Sequence, residues 1–248
     1  MEENSKLAEQ FWEEGFLVLD GFLESLKMDE LNECILENLG KAPENLHSDE
    51  FLERSGADVV PWFPQHHGIT AFDEVANNPR LLELTTALLG PEWQELYSMV
   101  MFSRQGSKGQ SWHQDCPPEF PSHFNLNRLV YTHDVTPEIG GQTVVVPGSH
   151  RQGVIPIGDP DGVLEGQHVL EPKRGTLVLL HGHTWHRVLS VKGTYRVSTN
   201  FRACPQGVPK DVTDVCVYRN MRYRFSTGVF VEDRLAMPDR VQTGTPTH

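Results

Sequence analysis

Apolar residues recur at helical spacing near the start of the chain and in short runs further on. Leu7, Phe11 and Trp12 form a stripe that Gly15 ends, with Ser5 placed to cap it. Residues 16–20 read as a short strand stopped at Gly21. Between 23 and 39 the helical period returns, with Leu31, Ile35 and Leu39 four apart and Gly40 behind them. Asn78-Pro79 opens another helix, since proline is tolerated in a first turn, and it runs through Leu81, Leu82, Leu84 and Leu88 to Gly90. Residues 41–70 hold no sustained period and are expected to form a long surface loop or lid.

From Trp93 onward the pattern changes to strands. Those expected are 96–102, 111–115, 128–133, 142–146, 168–170, 176–181 and 195–201, with Gly, Pro and Asp between them. Many short strands behind a helical N-terminal part predict a mainly β protein, a double-sheet jelly roll with flanking N-terminal α-helices packed outside. The 248 residues are expected to form one domain. Its parts are a helical region at about 1–92, a β core at about 93–205 and a C-terminal extension at 206–248 that ends in a loose tail from Gln242.

Composition narrows the function. Hydrophobic content of 38% and charged content of 22% are ordinary for a globular protein, and no stretch approaches the roughly 18 apolar residues of a membrane span. The polar, acidic start lacks the basic and apolar regions of a signal peptide, so the expected location is cytoplasmic. A net charge of −13 repels phosphate backbones, which disfavours nucleic acid and favours a small metabolite over an acyl-CoA. Cys34, Cys116, Cys204 and Cys216 form no CxxC pair, so free thiols are expected rather than structural zinc.

The candidate chemistry begins at His113-Gln114-Asp115. Side chains alternate along a strand, so His113 and Asp115 share one face without special backbone geometry. Two imidazoles and one carboxylate on one side of a metal leave adjacent positions open, which suits non-haem Fe(II). His181, His183 and His186 compete to be the third ligand. A tight turn at 190–193, with Gly193 in a left-handed position, would set His186 opposite Arg196 on a hairpin, whereas His183 would face Thr199. This reading selects His186 and leaves His181 and His183 as supporting or surface residues. On the returning strand Arg196, Ser198, Asn200 and Arg202 form a polar stripe suited to a pocket, with Val197, Thr199 and Phe201 on the other face.

Arg196 completes a charge balance. Ferrous iron, one aspartate, a dianionic 2-oxoglutarate and one arginine sum to zero, whereas a buried site without the arginine would carry an uncompensated anion. The guanidinium also meets a carboxylate through two parallel hydrogen bonds. Free imidazole protonates near pH 6.5, so metal affinity is expected to fall below about that pH.

The chain resembles the phytanoyl-CoA dioxygenase family of Fe(II)/2-oxoglutarate oxygenases. The matching pieces are Gly90-Pro91, Tyr97-Ser98-Met99, Ser111-Trp112-His113-Gln114-Asp115, Asp134 to Glu138 leading into Gly140-Gly141, Pro147-Gly148-Ser149-His150-Arg151, and the run from Gly175 to His181 ahead of His186 and Arg196. The resemblance implies a double-stranded β-helix, a cupin-like jelly roll. It implies that His113, Asp115 and His186 hold Fe(II) and carry catalysis, and that Arg196 binds the far carboxylate of 2-oxoglutarate. By position Met99 lies near the cosubstrate and Tyr131 near an aromatic that covers it.

The implied reaction takes O2, hydroxylates an unactivated C–H bond of a small metabolite and releases succinate and CO2. One departure is Val188, where family members often carry a hydroxyl two positions after the distal histidine; Ser198 or Thr143 could replace it. His150, in the tight turn set by Gly148, is expected to be structural, and the segment 116–127 to shape the substrate pocket. Asp115 fills the space a halogenase keeps for chloride. A cupin-like isomerase or hydrolase would not need Arg196, and a non-catalytic binding protein would not need the metal residues.

Overall fold

The computed structural model describes residues 2–39, 59–224 and 235–236. Most of the expected loop at 41–70, the helix stop at Gly40 and the tail from Gln242 lie outside the described residues.

Helix α1 (Glu2–Glu14) starts three residues before the expected cap at Ser5. Glu2 and Glu3 favour the positive end of the helix dipole, and Lys6 pairs with Glu2 one turn away at 3.1 Å. Gly15 ends the helix at φ 80°, with its N–H donating to Phe11 O. An added Cβ there would lie 2.4 Å from His150 Nδ1, so glycine is needed for space as well as for backbone angle. Helix α2 (Ser25–Leu39) buries Met28, Leu31 and Ile35 completely. The short α3 (Asp73–Ala76) precedes α4 (Pro79–Leu89), whose Asn78 side chain accepts from Arg80 N and Leu81 N as a cap.

Two antiparallel sheets follow. One has six strands in the order β1 (Phe16–Leu19), β8 (Leu177–His181), β5 (Leu126–Val130), β10 (Tyr195–Cys204), β3 (Gln94–Arg104) and β2 (Val60–Trp62). The other has seven, β13 (Leu235–Ala236), β12 (Arg222–Arg224), β11 (Val215–Tyr218), β4 (Gln110–Gln114), β9 (His186–Val188), β6 (Thr143–Val145) and β7 (His168–Leu170). Stacked face to face they form the double-stranded β-helix, and no helix among the described residues is long and apolar enough to cross a membrane.

Strand parity divides the core in two. Leu126, Val130, Leu177, Leu179, Val197 and Phe201 point outward from the six-stranded sheet and pack under the helices with Phe11, Leu31 and Leu84. The alternate positions Leu129, Val178, Leu180, Met99 and Met101 point inward, toward Val145 and Leu170 of the facing sheet. Each such large apolar side chain contributes about 1.5–3 kcal/mol on burial. Both faces of β5 and β8 are therefore covered, which fits the apolar run Leu177 to Leu180 in β8.

Three expectations change. The described part of the 41–70 segment begins at Val59 and opens with β2, an edge strand whose Trp62 packs against Phe72 in the outer core. The hairpin joining 176–181 to 195–201 does not exist, since β8 pairs with β1 and β5 while β10 pairs with β5 and β3. The chain passes instead through β9 in the opposite sheet and crosses back at 190–193. Gly193 is not left-handed; Lys192 N and Gly193 N both donate to Ile139 O. Third, β11 and β12, which lie within the 206–248 extension, belong to the seven-stranded sheet.

Candidate metal centre

His113 and His186 lie directly opposite each other on β4 and β9, with ring centroids 4.1 Å apart. Asp115 follows β4 by one residue, anchored by its N–H to Gly182 O at 2.8 Å. Its Oδ1 is 3.8 Å from His113 Nε2 and its Oδ2 is 3.7 Å from His186 Nε2. One ligand atom from each residue falls within 4.8 Å of the others, and all three side chains are buried.

The imidazoles are set for this purpose. His113 Nδ1 meets Ser111 O at 2.7 Å and His186 Nδ1 meets Thr184 O at 2.8 Å. A carbonyl only accepts, so each Nδ1 carries a proton and each Nε2 is the ring atom that faces Asp115. Burial, aided by the neighbouring His186, pushes the His113 pKa down to about 3, so the ring is neutral and its contact with Asp115 is not an ion pair. His113 therefore stays neutral well below the pH 6.5 at which a free imidazole protonates. Two imidazole Nε2 atoms and one carboxylate fit a divalent cation with open positions on its far side.

Asp115 is held from both sides. Burial alone would raise its pKa, but Arg202 and the two imidazoles hold it down to about 2. Arg202 Nη2 donates to Oδ1 at 2.9 Å and Asn127 Nδ2 to Oδ2 at 2.6 Å. Arg202 also donates from Nε to Asn127 Oδ1 and from Nη1 to the Tyr97 hydroxyl. Neither Arg202 nor Asn127 was assigned this contact from the sequence. An asparagine in mid-strand, where that residue is rare, was the available signal for Asn127.

Arg196 lies on β10, opposite Ser103 of β3, and reaches the same cavity as His186 from across the barrel rather than along a hairpin. Nε donates to Gly141 O at 3.1 Å, Nη1 to Ser198 Oγ at 2.9 Å and Nη2 to Thr143 Oγ1 at 3.3 Å. Tyr131 is fully buried behind it, with its ring centre 5.6 Å from the guanidinium carbon and its hydroxyl 3.1 Å from that of Thr143. It buttresses Arg196 instead of covering the cavity. Met99, paired with Asn200, lines the cavity wall.

The C-terminal strands close the other side. Tyr218 lies opposite His113 in the sheet and stacks on it at 5.1 Å, and Cys216 and Tyr223 line the cavity beside it. The apolar run at 215–218 was a readable strand signal. Of the segment 116–127, only Asn127 reaches the cavity. Phe124 turns away and stacks on His181 at 4.1 Å. His181 and His183 are buried outside the centre, where His183 Nε2 meets His123 O at 3.1 Å. His150 Nε2 meets Trp12 O at 3.2 Å and ties the turn after β6 to α1, a structural contact.

The model of the phytanoyl-CoA dioxygenase (PhyH) family matches residues 11–193. The chain belongs to this family. Membership places it among iron- and 2-oxoglutarate-dependent enzymes, and the match ends just before β10, which carries Arg196 and Arg202. Solved structures share the fold. The non-haem α-ketoglutarate-dependent epimerase SnoN from nogalamycin biosynthesis superposes with a TM-score of 0.66 at 17% identity, over 100% of this chain and 93% of that one. HygX from Streptomyces hygroscopicus, with nickel and 2-oxoglutarate bound, gives 0.61 at 15% identity over 80% and 87%. In this PhyH member the four cysteines form no disulfide.

Proposed function

We propose that the protein is an Fe(II)- and 2-oxoglutarate-dependent oxygenase that hydroxylates an unactivated C–H bond of a small-molecule metabolite in the cytoplasm. The observation that carries this reading is the pair of Nε2 atoms facing Asp115, with Arg196 in the wall of the same cavity. His113, Asp115 and His186 hold the ion on one side and leave positions open for cosubstrate and O2. When bound, the ferrous ion would activate O2, the four-electron oxidant, which takes two electrons from 2-oxoglutarate as it becomes succinate and CO2 and two from the C–H bond that is hydroxylated.

The chain's own residues bind, orient and exclude. Arg196 takes the distal carboxylate of the cosubstrate, with Ser198 and Thr143 fixing the plane of its guanidinium. Thr143 takes the part of the hydroxyl missing at Val188, which it faces in the sheet register. Tyr131 supports Arg196 from behind, and Met99 contacts the cosubstrate flank. Arg202 and Asn127 hold the Asp115 carboxylate so that the ligand is oriented before metal arrives. Apolar walls keep water from the reacting centre. SnoN has been solved with nogalamycin RO and HygX with hygromycin B, which supports a small-molecule substrate here. Free thiols fit a reducing compartment.

The test is anaerobic loading with Fe(II) and 2-oxoglutarate, read by the metal-to-ketoacid charge-transfer absorption, followed by a metabolite screen for stimulated succinate formation under labelled O2. Label in the product supports hydroxylation. Coupled succinate formation without label would move the assignment to another outcome of the same centre, and absence of loading would reject it.

A further inference from the structure

The ionisable side chains that line the cavity do not sum to neutrality. Arg196 and Arg202 both stand in its wall, and Asp115 is the single acid among the described lining residues. The three side chains are nearly inaccessible, at 1%, 3% and 4% exposure, so water screens them little. The pair Arg202–Asp115 at 2.9 Å is neutral taken together, which leaves the charge of Arg196. Ferrous iron and a 2-oxoglutarate dianion cancel each other. Among the described residues one positive charge therefore remains, whether the centre is empty or loaded.

A buried uncompensated charge is costly, and a ligand that supplies its counter-charge gains what water would otherwise provide. Arg202 can receive it. A guanidinium has five N–H groups. Three are accounted for, Nε on Asn127, Nη1 on Tyr97 and Nη2 on Asp115, and one N–H on each Nη remains. Away from it the wall is apolar, with Val59 and Pro61 at the β2 edge and Met101 on β3.

We infer that the substrate is an organic monoanion, with one carboxylate-like group directed to Arg202 and an apolar body along Val59, Pro61 and Met101. The inference rests on the proposed function for calling this ligand the substrate. Its charge follows from the cavity's own residues. Cationic compounds of the same shape are excluded, because they would add a second positive charge to the same enclosed space.

The experiment is a calorimetric titration of the protein loaded anaerobically with Fe(II) and saturating 2-oxoglutarate, using hexanoate, hexanamide and hexylamine and their eight-carbon counterparts. The carboxylates are expected to bind roughly tenfold or more tighter than the amides, the difference made by hydrogen bonds to a charged group, and the amines not at all. Arg202→Lys should keep this preference and Arg202→Gln should reduce the ratio to about one. Equal binding of acid and amide, tighter binding of amine, no carboxylate binding, or displacement of 2-oxoglutarate by the acids would each overturn the inference. If Arg202→Gln does not fold, the wild-type series decides. Repeating the series on metal-free protein separates the two readings: failure to load iron and 2-oxoglutarate rejects the oxygenase, while the acid-to-amide ratio still tests the charge.

Discussion

Thr143 Oγ1 lies 3.3 Å from Arg196 Nη2 and 3.1 Å from the Tyr131 hydroxyl, a contact that joins the two sheets at the Arg196 end of the cavity. Thr143 also faces Val188 across β6 and β9, where the family often has a hydroxyl. Removing it takes a hydrogen-bond partner from the Tyr131 hydroxyl and leaves Arg196 Nη2 with only its 3.5 Å contact to that hydroxyl. Thr143→Val is expected to weaken 2-oxoglutarate binding by roughly tenfold, the cost of one such hydrogen bond, with iron affinity unchanged. Thr143→Ser should restore it. Equilibrium titration of the charge-transfer band measures both, and a loss of iron with cosubstrate would contradict the assignment.

Gly141 gives Arg196 its place. Its φ is 71°, and an added Cβ would come within 2.5 Å of Arg196 Cγ, with the adjoining methylenes also in conflict. Gly141→Ala therefore both strains the backbone and displaces the guanidinium, at a cost of about 1 kcal/mol or more in stability. The Michaelis constant for 2-oxoglutarate should rise by roughly tenfold or more, the magnitude of a lost charge-assisted hydrogen bond. Unchanged cosubstrate affinity in a folded variant would remove Arg196 from that role.

The three ligand positions separate cleanly from the neighbouring histidines. His113→Ala, Asp115→Ala and His186→Ala are each expected to abolish stoichiometric iron binding and turnover, whereas His183→Ala retains iron. Metal content after anaerobic loading and desalting is the measurement. A His186→Ala protein that still couples 2-oxoglutarate consumption to product would reject the ligand set.

The buried histidines make stability depend on acid. Burial pushes His183 down to about 4 and, with His183 and His150 beside it, pushes His181 well below its ordinary value. The other groups at this cluster are His150, whose pKa burial also lowers, and the Arg151 charge next to it. In the unfolded chain these rings titrate near pH 6.5. Between that value and their folded pKa the unfolded state binds more protons, so stability is complete above about pH 6.5 and falls as pH drops toward 4. His183 alone accounts for on the order of 3 kcal/mol by that point. Urea midpoints at several pH values test this, and a midpoint that stayed level from about pH 7 to 4.5 would be incompatible with neutral buried rings. His183→Gln should flatten the dependence.

Much of the architecture was readable along the chain. Helical period at 31, 35 and 39 and alternation in the later runs announced helices against a β core because each pattern buries one face of its own element. The inward stripe Arg196, Ser198, Asn200 and Arg202 was legible for the same reason, and Val197 and Phe201 do pack outward. The start of α1 was misplaced because a serine that can cap was weighed above the acidic residues before it. The strand at 60–62 carries too few residues to show a pattern, whereas that at 215–218 has an apolar run but no sequence signal for the sheet it joins.

Local order in the sequence established which residue types share a face, since that depends only on backbone geometry over a few positions. His113 beside Asp115 is of this kind. Strand partners are another matter: they are chosen by burial summed over the whole barrel, so the pairing of His186 with His113, and the crossing that puts Arg196 in the opposite sheet, emerged only in three dimensions. The same holds for Arg202 on Asp115, a contact between residues 87 apart along the chain, which adds the charge that the linear reading left out.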